Sequence, residues 1–245
     1  MLNIIIPMAG KGTRFFEKGY TFPKPLIEVN GKPMIQVVIE NLKPSTEHCF
    51  TFICQKEHYD KYSLHELLNL VTPHCNIVKL EEFTEGAACT VLLAKQYMNN
   101  DDELLIANSD QFVQMEIDEF LKDARDKKAD GSILTFHATH PKWSFAKVDG
   151  SGYVIEVAEK KPISNHATVG IYYYRKGSDF VQGAEDMIRK DIRVNNEFYV
   201  CPVYNEMLLK DRKVKIFEIR PDQMHGMGTP EDLVEFEKTE VFKKL

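Results

Sequence analysis

Apolar residues occur along this chain in short unbroken runs set between polar, turn-rich stretches. Ile4-Ile5-Ile6, Cys49-Phe50-Thr51-Phe52-Ile53-Cys54, Asn76-Ile77-Val78-Lys79-Leu80 and Glu103-Leu104-Leu105-Ile106-Ala107 each have the length of a buried strand. Between the first two, Ile35, Val38, Ile39 and Leu42 recur at helical spacing and predict a helix to about Leu42, with Pro33 at its first position. Ahead of it, Leu26 to Val29 reads as a short strand and Asn30-Gly31 as a turn. Further helices are expected from about Asp60 to Leu70, from the Glu85–Thr90 segment to about Met98, and from about Ile117 to Lys127. A repeated strand-loop-helix rhythm of this kind predicts an α/β fold.

One further strand follows the turn Asp130-Gly131, and from Phe145 the pattern becomes richer in strands. Ser132–Phe136 is a strand, and Phe145–Glu159 reads as a pair of strands around Asp149-Gly150-Ser151-Gly152. Thr168–Tyr174 is another β-rich run, a helix is expected after Asn195–Tyr199 to about Leu209, and Thr229-Pro230-Glu231 opens a final helix with Leu233, Phe236 and Val241 on its apolar side.

Composition narrows the partners. With 245 residues, 43% of them hydrophobic, the chain can bury a full core as one large domain. A net charge of −6 and the absence of a basic run argue against a nucleic-acid or membrane-surface binder. The charge cluster Lys122–Lys128 is read as a solvated helix end, and His137, His140 and Trp143 as loop or packing residues. Cys49, Cys54, Cys75, Cys89 and Cys201 are odd in number and contain no Cys-x-x-Cys pair, so they read as free thiols in a reducing compartment. The chain enters a core strand directly and has no apolar run of spanning length, so neither a signal peptide nor a membrane helix is expected, and the cytoplasm is the expected location.

The chemistry gathers just after the first strand. Pro7-Met8-Ala9-Gly10-Lys11-Gly12-Thr13-Arg14-Phe15 and Phe22-Pro23-Lys24-Pro25-Leu26 combine glycines with cations, which suits an anion site. Arg14 can fork onto phosphate oxygens while Lys24 supplies a point charge, so the pair suits a triphosphate and a departing pyrophosphate. A dinucleotide fingerprint is disfavoured because Phe15 stands where its third glycine belongs, and no Gly-Lys-Ser/Thr closes a P-loop. An ordinary βα turn with solvated cations stays open on these residues alone.

Gly-x-Gly-Thr-Arg-Phe followed by Pro-Lys-Pro-Leu resembles the signature of the sugar-phosphate nucleotidylyltransferases. Through that resemblance Gly10, Gly12, Thr13, Arg14 and Lys24 would hold the triphosphate of an NTP, and Met8, Ala9, Gln55, Glu85, Gly86, Ala87, Ala88 and Ser109 would complete the nucleotide site. Asn108-Ser109-Asp110 resembles the element whose Asp binds Mg²⁺, which makes Asp110 the expected metal ligand. Glu159-Lys160-Lys161-Pro162 is similar to the Glu-Lys-Pro element that meets the acceptor phosphate; Lys160 is chosen and Lys161 is the alternative. Gly170, Glu197 and Tyr199 are the other expected acceptor residues, with Tyr199 and Val200 standing where Thr-Asp is usual.

One departure concerns the metal. His225-Gly226-Met227-Gly228-Thr229-Pro230-Glu231-Asp232-Leu233 is similar to Asp-x-Gly-Thr-Pro-Glu-Asp-Leu, but Gly226 replaces the second metal-binding Asp. Asp222 and Glu197 are candidate substitutes. No hexapeptide repeat follows, so the acyltransferase domain of some relatives is not expected.

The resemblance implies a Rossmann-like three-layer α/β/α fold, with a mixed, mostly parallel sheet and a small β-rich acceptor subdomain. Residues 1–245 would form a single nucleotidyltransferase domain, with a nucleotide-binding half over about 1–140 and an acceptor-binding half over about 141–245. The implied catalytic group is Arg14, Lys24, Lys160 and Asp110. The implied partners are an NTP and a phosphorylated small molecule, with Mg²⁺ as cofactor, no nucleic acid, no membrane, and a homodimer left open. The wording of the motifs looks most like capsule-cluster members such as CTP:phosphoglutamine cytidylyltransferase, so CTP and phosphoglutamine are the favoured substrates. Alternatives are a sugar-1-phosphate transferase using UTP, dTTP or CTP, a glycosyltransferase, and a non-catalytic nucleotide-sugar binder. A glycosyltransferase of this architecture would be expected to carry Asp-x-Asp where this chain has Asn108-Ser109-Asp110.

Overall fold

The computed structural model describes residues 1–245. Strand β1 (Leu2–Pro7) turns Ile4 and Ile6 to one face and Ile5 to the other, and all three are buried because helices cover both sides. Removing an isoleucine of this kind from water contributes ~1.5–3 kcal/mol, which is why an all-apolar run folds as a central strand. A hairpin follows, β2 (Glu28–Val29) against β3 (Lys32–Pro33), turning on Asn30 and Gly31 at φ 49° and 78°.

Strands β4 (His48–Gln55), β5 (Asn76–Leu80) and β6 (Glu103–Ala107) run parallel to β1 in the order β5-β4-β1-β6. Short β7 (Gln111–Val113) leaves the sheet directly after β6. Strand β8 (Gly131–His137) and the hairpin of β9 (Ser144–Val148) and β10 (Val154–Glu159) lead to β11 (His166–Tyr174), which pairs antiparallel with β6, β8 and β9. Strand β12 (Val214–Ile219) adds to β8 in parallel, and β13 (Met224–Gly226) pairs with β7. The nine-stranded sheet is therefore mixed, and the β-rich second half shares it through β11.

Helices Met34–Leu42, Leu64–Val71 and Ile117–Asp126 pack on one face, and Ala87–Leu92, Gly177–Arg189 and Val203–Leu208 on the other. The connection from β5 to β6 thus crosses to the opposite face and to the far side of β1. In parallel sheets this reversal opens a crevice beyond the carboxyl ends of the strands, here those of β1 and β6.

Local differences from the sequence reading have physical causes. The helix expected over about 60–70 is two, Lys56–Lys61 and Leu64–Val71, because Ser63 adopts a left-handed φ of 46° between them. The helix expected to reach Met98 is divided at Leu93–Ala94, where Leu93 and Ala94 N–H groups donate three residues back, to Thr90 and Val91. Pro33 ends the hairpin rather than opening the helix, and Leu26 belongs to a 3₁₀ turn, Lys24–Leu26. The longest helix, Gly177–Arg189, and strand β12 have no counterpart in that reading.

Candidate active site

The cradle begins where β1 ends. The Met8 N–H donates to Ile53 O at 2.9 Å, and Gln55 Nε2, at the end of β4, donates to Ala9 O at 2.9 Å and Gly10 O at 3.3 Å. These bonds turn the loop carbonyls toward β4, while the N–H groups of residues 9–12 donate to no protein carbonyl. Backbone donors left free in a turn are what an anion needs. The side chains of Met8 and Ala9 are buried, and Gln55 ties down the loop that carries their backbone.

Gly12, at φ 62°, caps the short helix Thr13–Glu17, and a Cβ there would lie 3.4 Å from Lys24 Cβ, so the glycine loop and the Pro-Lys-Pro turn touch. Thr13 and Arg14 are exposed on that helix. Lys24 Nζ in turn donates to Asp110 Oδ2 at 2.8 Å, with the two side chains 19% and 24% exposed. Buried Ser109 and Asp110 lie just past the carboxyl end of β6. Three separate sequence motifs are thereby joined at one edge of the sheet.

Around Asp110 the chain is closely packed. Met227 N–H donates to Asp110 O at 2.8 Å, and a Cβ on Gly228 would fall 2.8 Å from Asp110 Oδ2. Gly226 pairs with Gln111, directly beside Asp110, and the carboxylate facing it is that of Asp232, held by Lys142 at 3.2 Å. Asp222 is paired with Arg220 on an exposed turn, and Glu197 lies beside Tyr199. No group of three or more His, Cys, Asp or Glu side chains forms a ready metal cage. Mg²⁺ keeps several waters and is commonly held by one or two carboxylates plus substrate phosphates, so the single carboxylate of Asp110, here bonded to Lys24, is the group that would hold it.

The expected base-side segment is braced by the acceptor side. Phe198 N–H donates to Glu85 O at 2.8 Å and Ala88 N–H to Phe198 O at 2.9 Å. A Cβ on Gly86, at φ 132°, would lie 2.4 Å from Phe198 O, so no other residue admits this contact. Arg193 reinforces it, its guanidinium 2.6 Å from Glu85 Oε2 and 4.1 Å from the Phe198 ring centroid. Sequence reasoning missed Arg193, since nothing local marks a partner 108 positions away. The Ala88 side chain is buried, whereas Ala87 and Glu85 reach the surface.

Lys160 and Tyr199 meet: Lys160 Nζ donates to the Tyr199 hydroxyl at 2.6 Å and sits 4.6 Å from its ring centroid. Lys161 makes no such contact and is exposed. Burial, with the Glu197 carboxylate nearby, raises the Tyr199 hydroxyl above its usual range. Burial also raises the Glu159 carboxyl, against the opposing pull of the Ser144 hydroxyl bonded to it and of Lys160. Gly170, one of the expected acceptor residues, is approached by a side chain: at φ 93° it makes room for Asn108, whose Nδ2 would be 2.2 Å from a Cβ. Trp143 packs edge-on to Phe136 with ring centroids 5.2 Å apart, and His140 Nδ1 accepts from the Lys142 N–H within its own loop, as their packing and loop roles required.

The chain is 26% identical over 242 residues to the bifunctional protein GlmU of Methanocaldococcus jannaschii, covering 97% of this chain and 54% of that one. It therefore spans about half the length of the curated relatives that it matches over its full extent. The crystal structure of a nucleoside-diphosphate-sugar pyrophosphorylase from Vibrio cholerae RC9 superposes with a TM-score of 0.81 at 28% identity, covering 96% of this chain and 100% of that chain. An inositol-1-phosphate CTP transferase from T. maritima shares the fold at a TM-score of 0.77 and 13% identity, over 98% of this chain and 93% of that one. Residues 3–235 match the family described as Nucleotidyl transferase, and the chain belongs to that family.

Proposed function

We propose that this protein transfers a nucleoside monophosphate from an NTP to the phosphate of a small phosphorylated acceptor, releasing pyrophosphate. The observation that carries the reading is the Lys24–Asp110 contact at 2.8 Å, which sets a cation and a carboxylate at the mouth of a loop with free N–H groups. In this reading the N–H groups of residues 9–12 and the Arg14 and Lys24 cations receive the triphosphate. As the bond to the leaving group breaks, negative charge moves onto pyrophosphate, where Arg14 and Lys24 stabilise it. Lys160, steadied by Tyr199, orients the acceptor phosphate for in-line attack at the α-phosphorus. Asp110 would hold Mg²⁺, which when bound neutralises charge on the phosphate oxygens.

Sugar 1-phosphates are the acceptor class supported by the likeness to the Vibrio cholerae pyrophosphorylase. Phosphoglutamine, with CTP as donor and a cytoplasmic role in capsule precursor synthesis, is the second reading. Its support is the position of Glu197 beside Tyr199, where a carboxylate suits the amine of an amino acid. Pyrophosphate release, measured with each NTP against sugar 1-phosphates, inositol 1-phosphate and phosphoglutamine, tests both. Release with sugar phosphates alone rejects the phosphoglutamine reading, and release with none of the acceptors rejects the reaction.

A further inference from the structure

Asn108 is fixed by its backbone and open at its side chain. Its N–H donates to Gly170 O at 2.9 Å and its carbonyl accepts from Gln111 Nε2 at 2.8 Å. The carboxamide packs against Gly170, where a Cβ would come within 2.2 Å of Nδ2 and 2.8 Å of Cγ. Strand β11 changes register with β8 between Thr168 and Tyr172, so Gly170 sits in an irregular stretch that receives this side chain. The residue is exposed, and no protein group hydrogen-bonds to either polar atom of its side chain.

Its place in the sheet gives those free atoms a purpose. Asn108 follows the last residue of β6, two positions before Asp110, and touches β11, so it lies between the phosphate-holding edge and the strand leading into the β-rich half. A carboxamide offers two donors and an acceptor, enough to engage a hydroxyl or an amide on a bound molecule. Backbone bonds and the Gly170 contact limit its freedom, so little ordering is needed when a ligand arrives.

We propose that Asn108 is a specificity-determining residue that hydrogen-bonds a hydroxyl or amide group of the phosphorylated acceptor, near its phosphate. This rests on the nucleotidyl-transfer reading above. A purely structural role, filling the space over Gly170, would be met as well by an apolar side chain of similar volume.

Asn108→Leu separates the two roles, with Asn108→Ala as a second variant in case leucine disturbs β11. Steady-state pyrophosphate release is measured with the best wild-type acceptor from the panel and with its analogue lacking the neighbouring hydroxyl or amide. Loss of one such hydrogen bond should lower kcat/KM for the acceptor by about 10–100-fold, with KM for the NTP changed less than about twofold. Discrimination between the acceptor and its analogue should collapse in both variants. Wild-type acceptor kinetics in either folded variant, or an equal loss for the analogue, overturns the role of Asn108 while leaving nucleotidyl transfer standing. A wild-type enzyme that releases no pyrophosphate with any acceptor overturns the underlying reading and this inference with it.

Discussion

Lys24 and Asp110, 86 positions apart, are in direct contact, with Nζ 2.8 Å from Oδ2 and both side chains mostly shielded from solvent. Each offsets the other's charge, and the contact ties the Pro-Lys-Pro turn to the end of β6. Replacing either by alanine should lower kcat by about 10²–10³-fold, the usual loss when a charge stabiliser is removed from a transition state. The surviving partner keeps some solvent access, so the melting temperature should fall by only a few degrees, roughly 1 kcal/mol. Pyrophosphate release and thermal unfolding of the two variants check both statements.

Lys160 and Lys161 should differ sharply. Lys160→Ala is expected to reduce kcat/KM for the acceptor by about 10–100-fold, the value of a charge-assisted hydrogen bond. Lys161→Ala should stay within about twofold of wild type, as surface changes generally do. Tyr199→Phe removes the hydroxyl on which the Lys160 ammonium rests at 2.6 Å and should raise the acceptor KM without altering that of the NTP. Steady-state kinetics with each substrate varied in turn decides the matter.

Gly86→Ala should be among the most damaging single-atom additions to this chain. Its Cβ would lie 2.4 Å from Phe198 O, and its φ of 132° is one that alanine avoids, so relief requires parting the 85–88 segment from Phe198. A cost of roughly 3 kcal/mol or more is expected, read from urea unfolding. Because Phe198 lies between Glu197 and Tyr199, the KM values of both substrates should rise.

Acid should weaken the support of β6. Burial tends to raise the Glu103 carboxyl, but hydrogen bonds from Arg125 at 2.8 and 2.6 Å and from Tyr173 at 2.6 Å outweigh it and hold the group below its ordinary value. A folded-state pKa below the unfolded one contributes stability that is present above the ordinary carboxylate range and lost as pH falls through the lowered value. Glu103→Gln should therefore destabilise the protein by ~1–3 kcal/mol at neutral pH, and the gap between variant and wild type should narrow as pH drops below the ordinary value of 4.5. Urea unfolding at a series of pH values measures the gap.

The first half of the fold is legible in the sequence because its strands are unbroken apolar runs and its helices carry regular stripes. Ile4-Ile5-Ile6 and Ile35, Val38, Ile39 and Leu42 need no distant partner to be recognised. Gly177–Arg189 is harder, since its glycines at 177 and 183 disfavour a helix locally. They are explained by tertiary contact, where Cβ atoms would come 1.9 Å from Met98 O and 2.9 Å from Val203 Cγ1. In the site, the motifs name Lys24, Asp110, Lys160 and Tyr199, but not that these residues meet in pairs. The roles of Arg193, Asn108 and the Lys142–Asp232 pair come from contacts between remote segments, which no spacing rule records.

The most direct test of the account is a crystal structure of the protein with CTP and magnesium, supported by the same soak with UTP. The triphosphate is expected over residues 9–14, within reach of Arg14 and Lys24, with Asp110 turned from Lys24 toward the metal. A nucleotide bound elsewhere, with the loop after β1 left without phosphate, would contradict it.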